Sequence, residues 1–288
     1  MKLSQSTQER NMTKTWFITG TSSGLGRMLA ERALGRGDRV IATVRNRSAL
    51  DDLMVRYPNQ LTGMAMELTD TISIRKTVEE AFELAERIDI VVSNAGYGLV
   101  GAAEELSDEQ IMRQLATNLT GSIQLIRAVL PHLRRQGGGR IVQVSSEGGQ
   151  VAYPAFSLYH ATKWGIEGFI ESVAQEVADF GIDFVIAEPG PTDTGFATSI
   201  DYAEPLPEYG STVVGQIREA LRDKAFPVKG DPELTVGMMM STIDQPKPPF
   251  RLALGSAAYE NIHTALTKRL TELEAHRNEA LSADKPQP

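Results

Sequence analysis

The 288-residue sequence contains no cysteine. That absence excludes disulfide bonds, a cysteine nucleophile and metal sites with cysteine ligands. Histidine is scarce as well: only His132, His160, His263 and His276 occur, and their spacing matches no metal-binding motif. We therefore expect no metal site and interpret these histidines as packing or surface residues.

The chain also lacks long apolar runs and an excess of basic residues. No run approaches the roughly 18 apolar residues of a membrane-spanning helix, and the polar first dozen residues lack the apolar core of a secretory signal. The 29 basic and 37 acidic residues leave a formal net charge of −8. This balance argues against nucleic acid or an anionic membrane as a bulk partner. We expect a cytoplasmic protein that binds neither of them.

What the sequence does contain is an alternation of apolar, β-prone runs with amphipathic segments. The predicted strands are Thr15 to Thr19, Arg39 to Val44, Leu61 to Leu68, Ile88 to Val92, Arg140 to Ser145, Asp183 to Ala187 and Phe250 to Leu254. The predicted helices are Leu25 to Leu34, Ser48 to Arg56, Ile72 to Glu86, Ser107 to Leu133, Phe156 to Phe180 and Ala257 to Glu274. This alternation predicts the α/β class. We expect a single Rossmann-type, doubly wound domain with a parallel sheet of about seven strands and helices on both faces.

The remaining segments set the expected domain limits. Residues 1–13 are predicted to be a flexible N-terminus, residues 14–275 the domain, and residues 276–288 a flexible tail. The apolar periodicity loosens between residues 192 and 229, which is typical of a substrate loop or lid. The run Met238-Met239-Met240 is expected to fill space in the core.

Glycine and polar residues directly follow several predicted strands. The carboxyl ends of parallel strands lie at one edge of a sheet, where ligands bind. After the first strand comes the pattern Thr19-Gly20-x-x-x-Gly24-x-Gly26, and a helix follows at once. Glycines let a backbone approach a diphosphate, and the helix N-terminus behind them is positively polarised. A glycine motif by itself also fits an ordinary tight turn, but strand, loop and helix together predict a nucleotide site.

Tyr159 and Lys163 are four positions apart, so a helix places them on one face, one turn apart. The ammonium would favour the phenolate and lower the tyrosine pKa from about 10, as a general acid or base requires. Taken alone, such a pair is more often solvated or packed. Ser146 strengthens the catalytic interpretation because it follows a predicted strand directly. Its hydroxyl could bond a carbonyl oxygen while Tyr159 transfers the proton.

These motifs resemble the short-chain dehydrogenase/reductase family. The glycine pattern at residues 19–26, N-A-G at 94–96, Y-x-x-x-K at 159–163 and P-G at 189–190 occur in family order, and the resemblance extends from Lys14 to Leu254. The segments K-W-G-I-E-G-F and E-P-G-P-T-D-T-G-F are similar to the branch that contains hydroxysteroid and retinol dehydrogenases. The resemblance implies an oxidoreductase that acts on CH–OH groups with NAD or NADP.

Roles are implied for single residues by the same resemblance. Tyr159 resembles the catalytic acid/base, Ser146 the carbonyl-polarising hydroxyl, and Lys163 the residue that lowers the tyrosine pKa and holds the nicotinamide ribose. Asn118 resembles the residue that anchors a proton-relay water, although without the family it would be a locally satisfied polar group. The residues expected at the cofactor are Gly20, Ser22, Ser23, Gly24, Leu25, Gly26, Arg45, Glu67, Leu68, Asn94, Ala95, Gly96, Tyr159, Lys163, Pro189, Gly190, Thr192 and Thr194. Glu67 replaces the usual aspartate that meets the adenine amino group.

Arg45 decides the expected choice of cofactor. It follows the second strand, which in this fold lies beside the adenosine ribose, and no carboxylate occurs between Thr43 and Leu50 to bind a free 2′-hydroxyl. A guanidinium instead pairs with a 2′-phosphate. Arg47 is a second candidate, and each arginine could also be an ordinary solvated charge. We predict NADP, with NAD possible because no basic residue precedes Gly24 in the loop.

The predicted function is the interconversion of a secondary alcohol and a ketone or aldehyde by NADP(H)-dependent hydride transfer, with tyrosine as general acid/base. One alternative is a nucleotide-sensing regulatory protein, and another is an epimerase or dehydratase that uses transient hydride transfer. Fold alone does not separate them. The helices predicted at 107–133 and 156–180 carry apolar residues on more than one face, and family members pair these helices between subunits. A homodimer or homotetramer is therefore expected.

Overall fold

The computed structural model describes residues 13–223, 225 and 228–285. Predictions for residues 1–12, 224, 226, 227 and 286–288 lie outside the described residues. The strands are β1 (Thr15–Thr19), β2 (Arg39–Val44), β3 (Leu61–Ala65), β4 (Ile90–Ser93), β5 (Leu99–Val100), β6 (Gly139–Val144), β7 (Ile182–Pro189), β8 (Asp201–Tyr202) and β9 (Arg251–Leu254). The helices are α1 (Gly24–Gly35), α2 (Asp51–Arg56), α3 (Thr71–Leu84), α4 (Asp108–Gln114), α5 (Ser122–Arg135), α6 (Ser157–Val177), α7 (Val213–Arg222), α8 (Pro232–Ile243), α9 (Ser256–Ala275) and α10 (Arg277–Leu281).

Seven strands form one sheet in the order β3-β2-β1-β4-β6-β7-β9, and every neighbouring pair is parallel. β1 lies inside the sheet, where Phe17 is in register with Ile41 on β2 and Val91 on β4. The predicted class and strand number are confirmed. The short strands β5 and β8 form a separate parallel pair that the sequence did not suggest.

The sheet has an apolar core on each face. Trp16 and Ile18 point to a core shared with α1, α2 and α8, whereas Phe17 between them points to a core shared with α3, α5 and α6. This alternation follows from the two-residue period of a strand. Burial on both faces explains why the strands are apolar throughout rather than alternating.

Two helices begin with a side-chain cap. Asp70 Oδ1 accepts a hydrogen bond from Ile72 N at 2.8 Å, and Ser107 Oγ accepts one from Gln110 N at 3.2 Å. The predicted single helix from Ser107 to Leu133 is instead interrupted by a π-helical turn, Leu115–Gly121, between α4 and α5. The third strand also ends earlier than predicted, because Glu67 Oε1 accepts from Thr69 N at 3.0 Å and turns the chain.

The region after β7 contains more regular structure than predicted. α7 lies within the expected substrate loop, and α8 was missed although Asp231 caps it and Pro232 occupies its first turn. A buried ion pair between Arg218 of α7 and Glu105 fixes α7 to the body of the domain. Of the three methionines in α8, Met239 and Met240 are buried as predicted, but Met238 is 53% exposed.

The segment predicted to be a flexible tail, residues 276–288, contains α10, so five of its residues, 277–281, are helical. Among the helices of the described residues, none combines the length and the apolar character needed to cross a bilayer.

Candidate active site

The glycine loop between β1 and α1 fits a close approach of backbone to ligand. Gly20 has φ +70°, and a Cβ there would lie 2.8 Å from Ala95 Cα. Gly24 has φ +59°, and a Cβ at Gly26 would overlap the Asn94 amide. A side chain is therefore excluded at these three positions, by backbone strain at Gly20 and Gly24 and by lack of space at Gly26.

The start of α1 offers backbone donors to an anion. Ser23 stands before the helix in an extended conformation, and among the described residues its side chain makes no capping bond. The first amides of a helix have no partner within it and carry the positive end of the helix dipole. These N–H groups and the bare glycine loop fit the diphosphate of a dinucleotide. Ser22 and Ser23 lie in this loop and Leu25 in the first turn of α1, and their contact with the cofactor stays a prediction.

Asn94 has a structural task that its motif did not reveal. Its Nδ2 donates to Thr19 O at 2.9 Å and to Gly20 O at 3.2 Å, while Thr19 Oγ1 accepts from Asn94 N and Ala95 N. The end of β4 is thereby tied to the glycine loop after β1. The structure brings the N-A-G motif and the glycine loop together, with the Asn94 amide committed to the protein.

Ser146 lies two residues beyond β6 and precedes a 3₁₀ turn, Glu147–Gly149. Its Oγ accepts a hydrogen bond from Gly148 N at 3.1 Å. Since that bond uses only a lone pair of Oγ, the hydroxyl proton stays available to donate a hydrogen bond to another oxygen. Tyr159, in the first turn of α6, forms a side-chain hydrogen bond with Ser146.

The tyrosine pKa differs from the sequence prediction. Burial raises the pKa of Tyr159 to about 12, and the hydrogen bond with Ser146 opposes this only in part. The expectation of a lowered pKa is therefore wrong for this structure. Lys163 lies with Nζ 5.6 Å from the centre of the Tyr159 ring and donates to Val144 O at 3.0 Å. Its charge is thus directed partly toward the end of β6.

Burial also acts on the lysine. It lowers the pKa of Lys163 to about 8, against the opposing influence of the Glu167 carboxylate one turn further along α6. Lys163 therefore remains mostly charged at neutral pH. Tyr159, Lys163, Glu167 and Glu171 follow one another at intervals of four residues on this helix.

Asn118 lies in the π-helical turn and is buried. Its Oδ1 accepts from Tyr97 N at 3.1 Å, and its Nδ2 donates to Tyr97 O at 2.8 Å. Both ends of the amide therefore hold the loop that follows the N-A-G motif. A Cβ on Gly96 would lie only 3.2 Å from Asn118 Oδ1. π-helical turns are frequent at functional sites. The relay role of Asn118 stays a prediction.

The residues expected at the adenosine end lie just after β2 and β3. Arg45 directly follows β2 and is exposed, and no ion pair of Arg45 or Arg47 occurs among the described residues. Glu67 is exposed with one carboxylate oxygen bonded to Thr69, and Leu68 beside it is buried. Both arginines therefore keep their guanidinium donors available on this side of the sheet.

The chain after β7 returns to the glycine loop. Pro189 ends β7, Gly190 N donates to Leu254 O at 3.0 Å, and Thr192 Oγ1 donates to Gly190 O at 2.9 Å. Thr194 lies close to the glycine loop, since a Cβ on Gly24 would be 4.0 Å from Thr194 Cβ. The predicted P-G segment thus lies on the same rim as Gly24.

Sequence reasoning missed three groups around Tyr159. Phe196 lies with its ring centroid 6.0 Å from that of Tyr159, in a segment without periodicity. His160, interpreted as packing or surface, is buried and bonded to the Ser146 loop. Behind Lys163, the buried carboxylates of Glu167 and Glu188 share the guanidinium of Arg251. Only the four-residue spacing of Glu167 from Lys163 was a signal in the sequence.

Comparisons with known proteins agree with this geometry. The family model described as short chain dehydrogenase matches residues 14–205. Oxidoreductase BOA17 from Botryotinia fuckeliana is 38% identical over 250 residues, which cover 86% of this chain and 91% of that protein. The 17-beta-hydroxysteroid dehydrogenase type 1 of Homo sapiens is 32% identical over 193 residues, 64% of this chain and 58% of that one.

A solved structure agrees as well. A short-chain dehydrogenase from Streptomyces avermitilis has a TM-score of 0.87 to this chain at 35% identity, and the match covers 96% of this chain and all of the other. The family model spans both the glycine loop and the Tyr159-Lys163 pair. The predicted family is confirmed: the chain belongs to the short-chain dehydrogenase/reductases, NAD(P)-dependent oxidoreductases that act on CH–OH groups.

Proposed function

We propose that the protein is an NADP(H)-dependent oxidoreductase that interconverts a secondary alcohol and a ketone or aldehyde. The observation that carries the proposal is the convergence of the Ser146 hydroxyl, the Tyr159 phenol and the Lys163 ammonium beyond β6. When bound, the nicotinamide cofactor supplies or accepts the hydride. The protein then has to place the reacting carbon and move one proton.

The three side chains divide this work. Ser146 directs its hydroxyl proton to the substrate oxygen, since its Oγ already accepts from Gly148 N. Tyr159, with a pKa of about 12, is a protonated phenol at neutral pH and can give its proton to a carbonyl oxygen. The Lys163 charge stabilises the negative charge that remains on the tyrosine oxygen. A protonated phenol is suited to carbonyl reduction.

The test is a panel of ketones, aldehydes and secondary alcohols, followed by nicotinamide absorbance with each cofactor. Turnover of a carbonyl with NADPH, abolished in Ser146→Ala, would support the proposal. Cofactor binding without turnover on any substrate would favour the nucleotide sensor. Conversion of a substrate without net change in nicotinamide absorbance would favour the epimerase or dehydratase. We further propose a cytoplasmic location.

Cofactor preference is predicted to depend on Arg45. Arg45→Ala should lower the affinity for NADPH by about one to two decades and the affinity for NADH only slightly. The reason is that a charge-assisted pair with a 2′-phosphate contributes roughly 1.5–3 kcal/mol. Both cofactors are titrated against the parent, Arg45→Ala and Arg47→Ala, and the last shows how far the neighbouring arginine contributes. Equal affinities of the parent for both cofactors, or an equal loss for both in Arg45→Ala, would contradict NADP preference.

A homodimer or homotetramer is also predicted. Met112 on α4 and Trp164 on α6 are 65% and 43% exposed, on the helices expected to pair between subunits. Burial of such side chains in an isologous interface would remove apolar surface from water. Sedimentation at micromolar concentration should give two or four times the chain mass of 31.4 kDa. A single species at the chain mass would rule the assembly out.

A further inference from the structure

His160 follows Tyr159 in the first turn of α6, is buried, and uses both ring nitrogens. Tyr153 N lies 2.9 Å from Nε2, and Gly148 O lies 2.9 Å from Nδ1. A backbone N–H can only donate, so Nε2 is the acceptor. The proton of the neutral ring is therefore on Nδ1 and is donated to Gly148 O. These two bonds assign a single tautomer.

The same glycine holds the predicted catalytic serine. Gly148 accepts from His160 through its carbonyl and donates through its N–H to Ser146 Oγ at 3.1 Å. The ring packs directly on this backbone, because a Cβ on Gly148 would lie 2.6 Å from His160 Nδ1. Two hydrogen bonds through one residue thus connect the imidazole to the serine oxygen.

We infer that His160 is a positioning residue, which through Gly148 fixes the direction in which Ser146 presents its hydroxyl proton. The inference rests on the proposed function, since it concerns the pair formed by Ser146 and Tyr159. With the Gly148 N–H held against Oγ, the Ser146 proton is turned toward the substrate oxygen. Without the imidazole, Gly148 and the hydroxyl can rotate, and the reacting group loses its alignment.

The arrangement also predicts a dependence on pH. A protonated His160 would present Nε2–H to Tyr153 N–H, so that two donors face each other. The groups around the ring are the aromatic rings of Tyr153, Phe156 and Tyr159, with the Glu147 carboxylate reached through Tyr153 Oη at 3.0 Å. Burial lowers the pKa of His160 below the ordinary 6.5, opposed in part by the bond to Gly148. The neutral, competent form is therefore present above pH 6.5 and is lost as the pH falls through the lowered pKa.

Three variants separate the two bonds. His160→Asn places an amide N–H near the position of Nδ1 and can still donate to Gly148 O. His160→Gln places an amide oxygen near the position of Nε2 and can only accept from Tyr153 N. His160→Phe keeps the ring and removes both bonds. We expect kcat to fall about ten- to hundredfold in the Phe and Gln variants, with the Kd for NADPH unchanged. The Asn variant should stay close to the parent and lose the acid limb of its pH profile.

His132→Asn is the matched control, because His132 on α5 is half-buried and its ring stacks on that of Phe82, with centroids 4.4 Å apart, away from the site. It should leave kcat and the pH profile unchanged. Parent-like kcat in His160→Phe, or equal kcat in the Asn and Gln variants, overturns the inference if Ser146→Ala is inactive. An acid limb that persists in His160→Asn overturns the pH dependence. Full activity in Ser146→Ala would instead refute the proposed function itself.

Discussion

Tyr159→Phe is expected to lower kcat for carbonyl reduction by a factor of about 10² to 10⁴, the usual contribution of a positioned general acid. The substitution removes the hydroxyl and keeps the ring, which packs against Phe156 and Phe196. Affinity for the cofactor should therefore change little. Steady-state kinetics with an active carbonyl, together with titration of NADPH, measure the two effects separately.

Tyr259→Phe provides the control for this substitution. Tyr259 on α9 is 64% exposed, so removal of its hydroxyl should affect neither kcat nor cofactor affinity. Turnover by Tyr159→Phe at the rate of the parent would show that another group transfers the proton. A parallel loss of NADPH affinity would show that the phenol acts mainly in cofactor binding.

Much of the fold was predictable because its signals are local. Each strand of the parallel sheet is a short apolar run bounded by glycine or polar residues, and both faces of the sheet are buried. The predicted helix starts at Ile72 and Ser107 agree with the structure, where the side chains of Asp70 and Ser107 cap α3 and α4. The rim of the sheet followed from the same reasoning, since residues after parallel strands share one edge.

The features that were missed depend on contacts distant in sequence. The π-helical turn between α4 and α5 contains Asn118, which is bonded to the loop 21 residues before it. At Gly121 a Cβ would lie 2.6 Å from Leu68 O, so the helix is shaped by a neighbour outside it. α7 was missed because its ten residues bury only a narrow face, held by the pair of Arg218 with Glu105, 113 positions away.

The tyrosine pKa shows the same limit in energetic form. The four-residue spacing correctly placed Lys163 on the Tyr159 side of the helix. Spacing gives no information on burial, and burial is the largest influence on both groups: it raises the pKa of the phenol and lowers that of the ammonium. The prediction from the sequence took into account only the attraction between the phenolate and the ammonium.

Arg251→Met is expected to destabilise the fold by roughly 3 kcal/mol at pH 8, because it leaves two buried carboxylates without their cation. Arg251 bonds Glu167 at 2.6 Å and also pairs with Glu188, and both acidic side chains are almost completely buried. The lower end of the usual range applies, since 28% of the arginine side chain is exposed and solvent screens it. For a chain of this length the melting temperature should fall by about 5 °C.

The loss of stability in Arg251→Met should grow with pH. Burial and the charge of Glu167 already raise the pKa of Glu188 to about 7, so its stabilising contribution is complete below pH 4.5 and is lost as the pH rises through 7. Without Arg251 the pKa of the Glu188 carboxyl rises further, and the cost of ionising it is larger at pH 8 than at pH 5. Thermal unfolding is measured at both values.

Arg251→Met with Glu188→Gln should recover part of the loss, because the amide carries no charge. Arg113→Met, which breaks an exposed pair with Asp201, should cost less than about 1 kcal/mol. A loss independent of pH, or no larger than that of Arg113→Met, would mean that Arg251 does not neutralise the buried carboxylates.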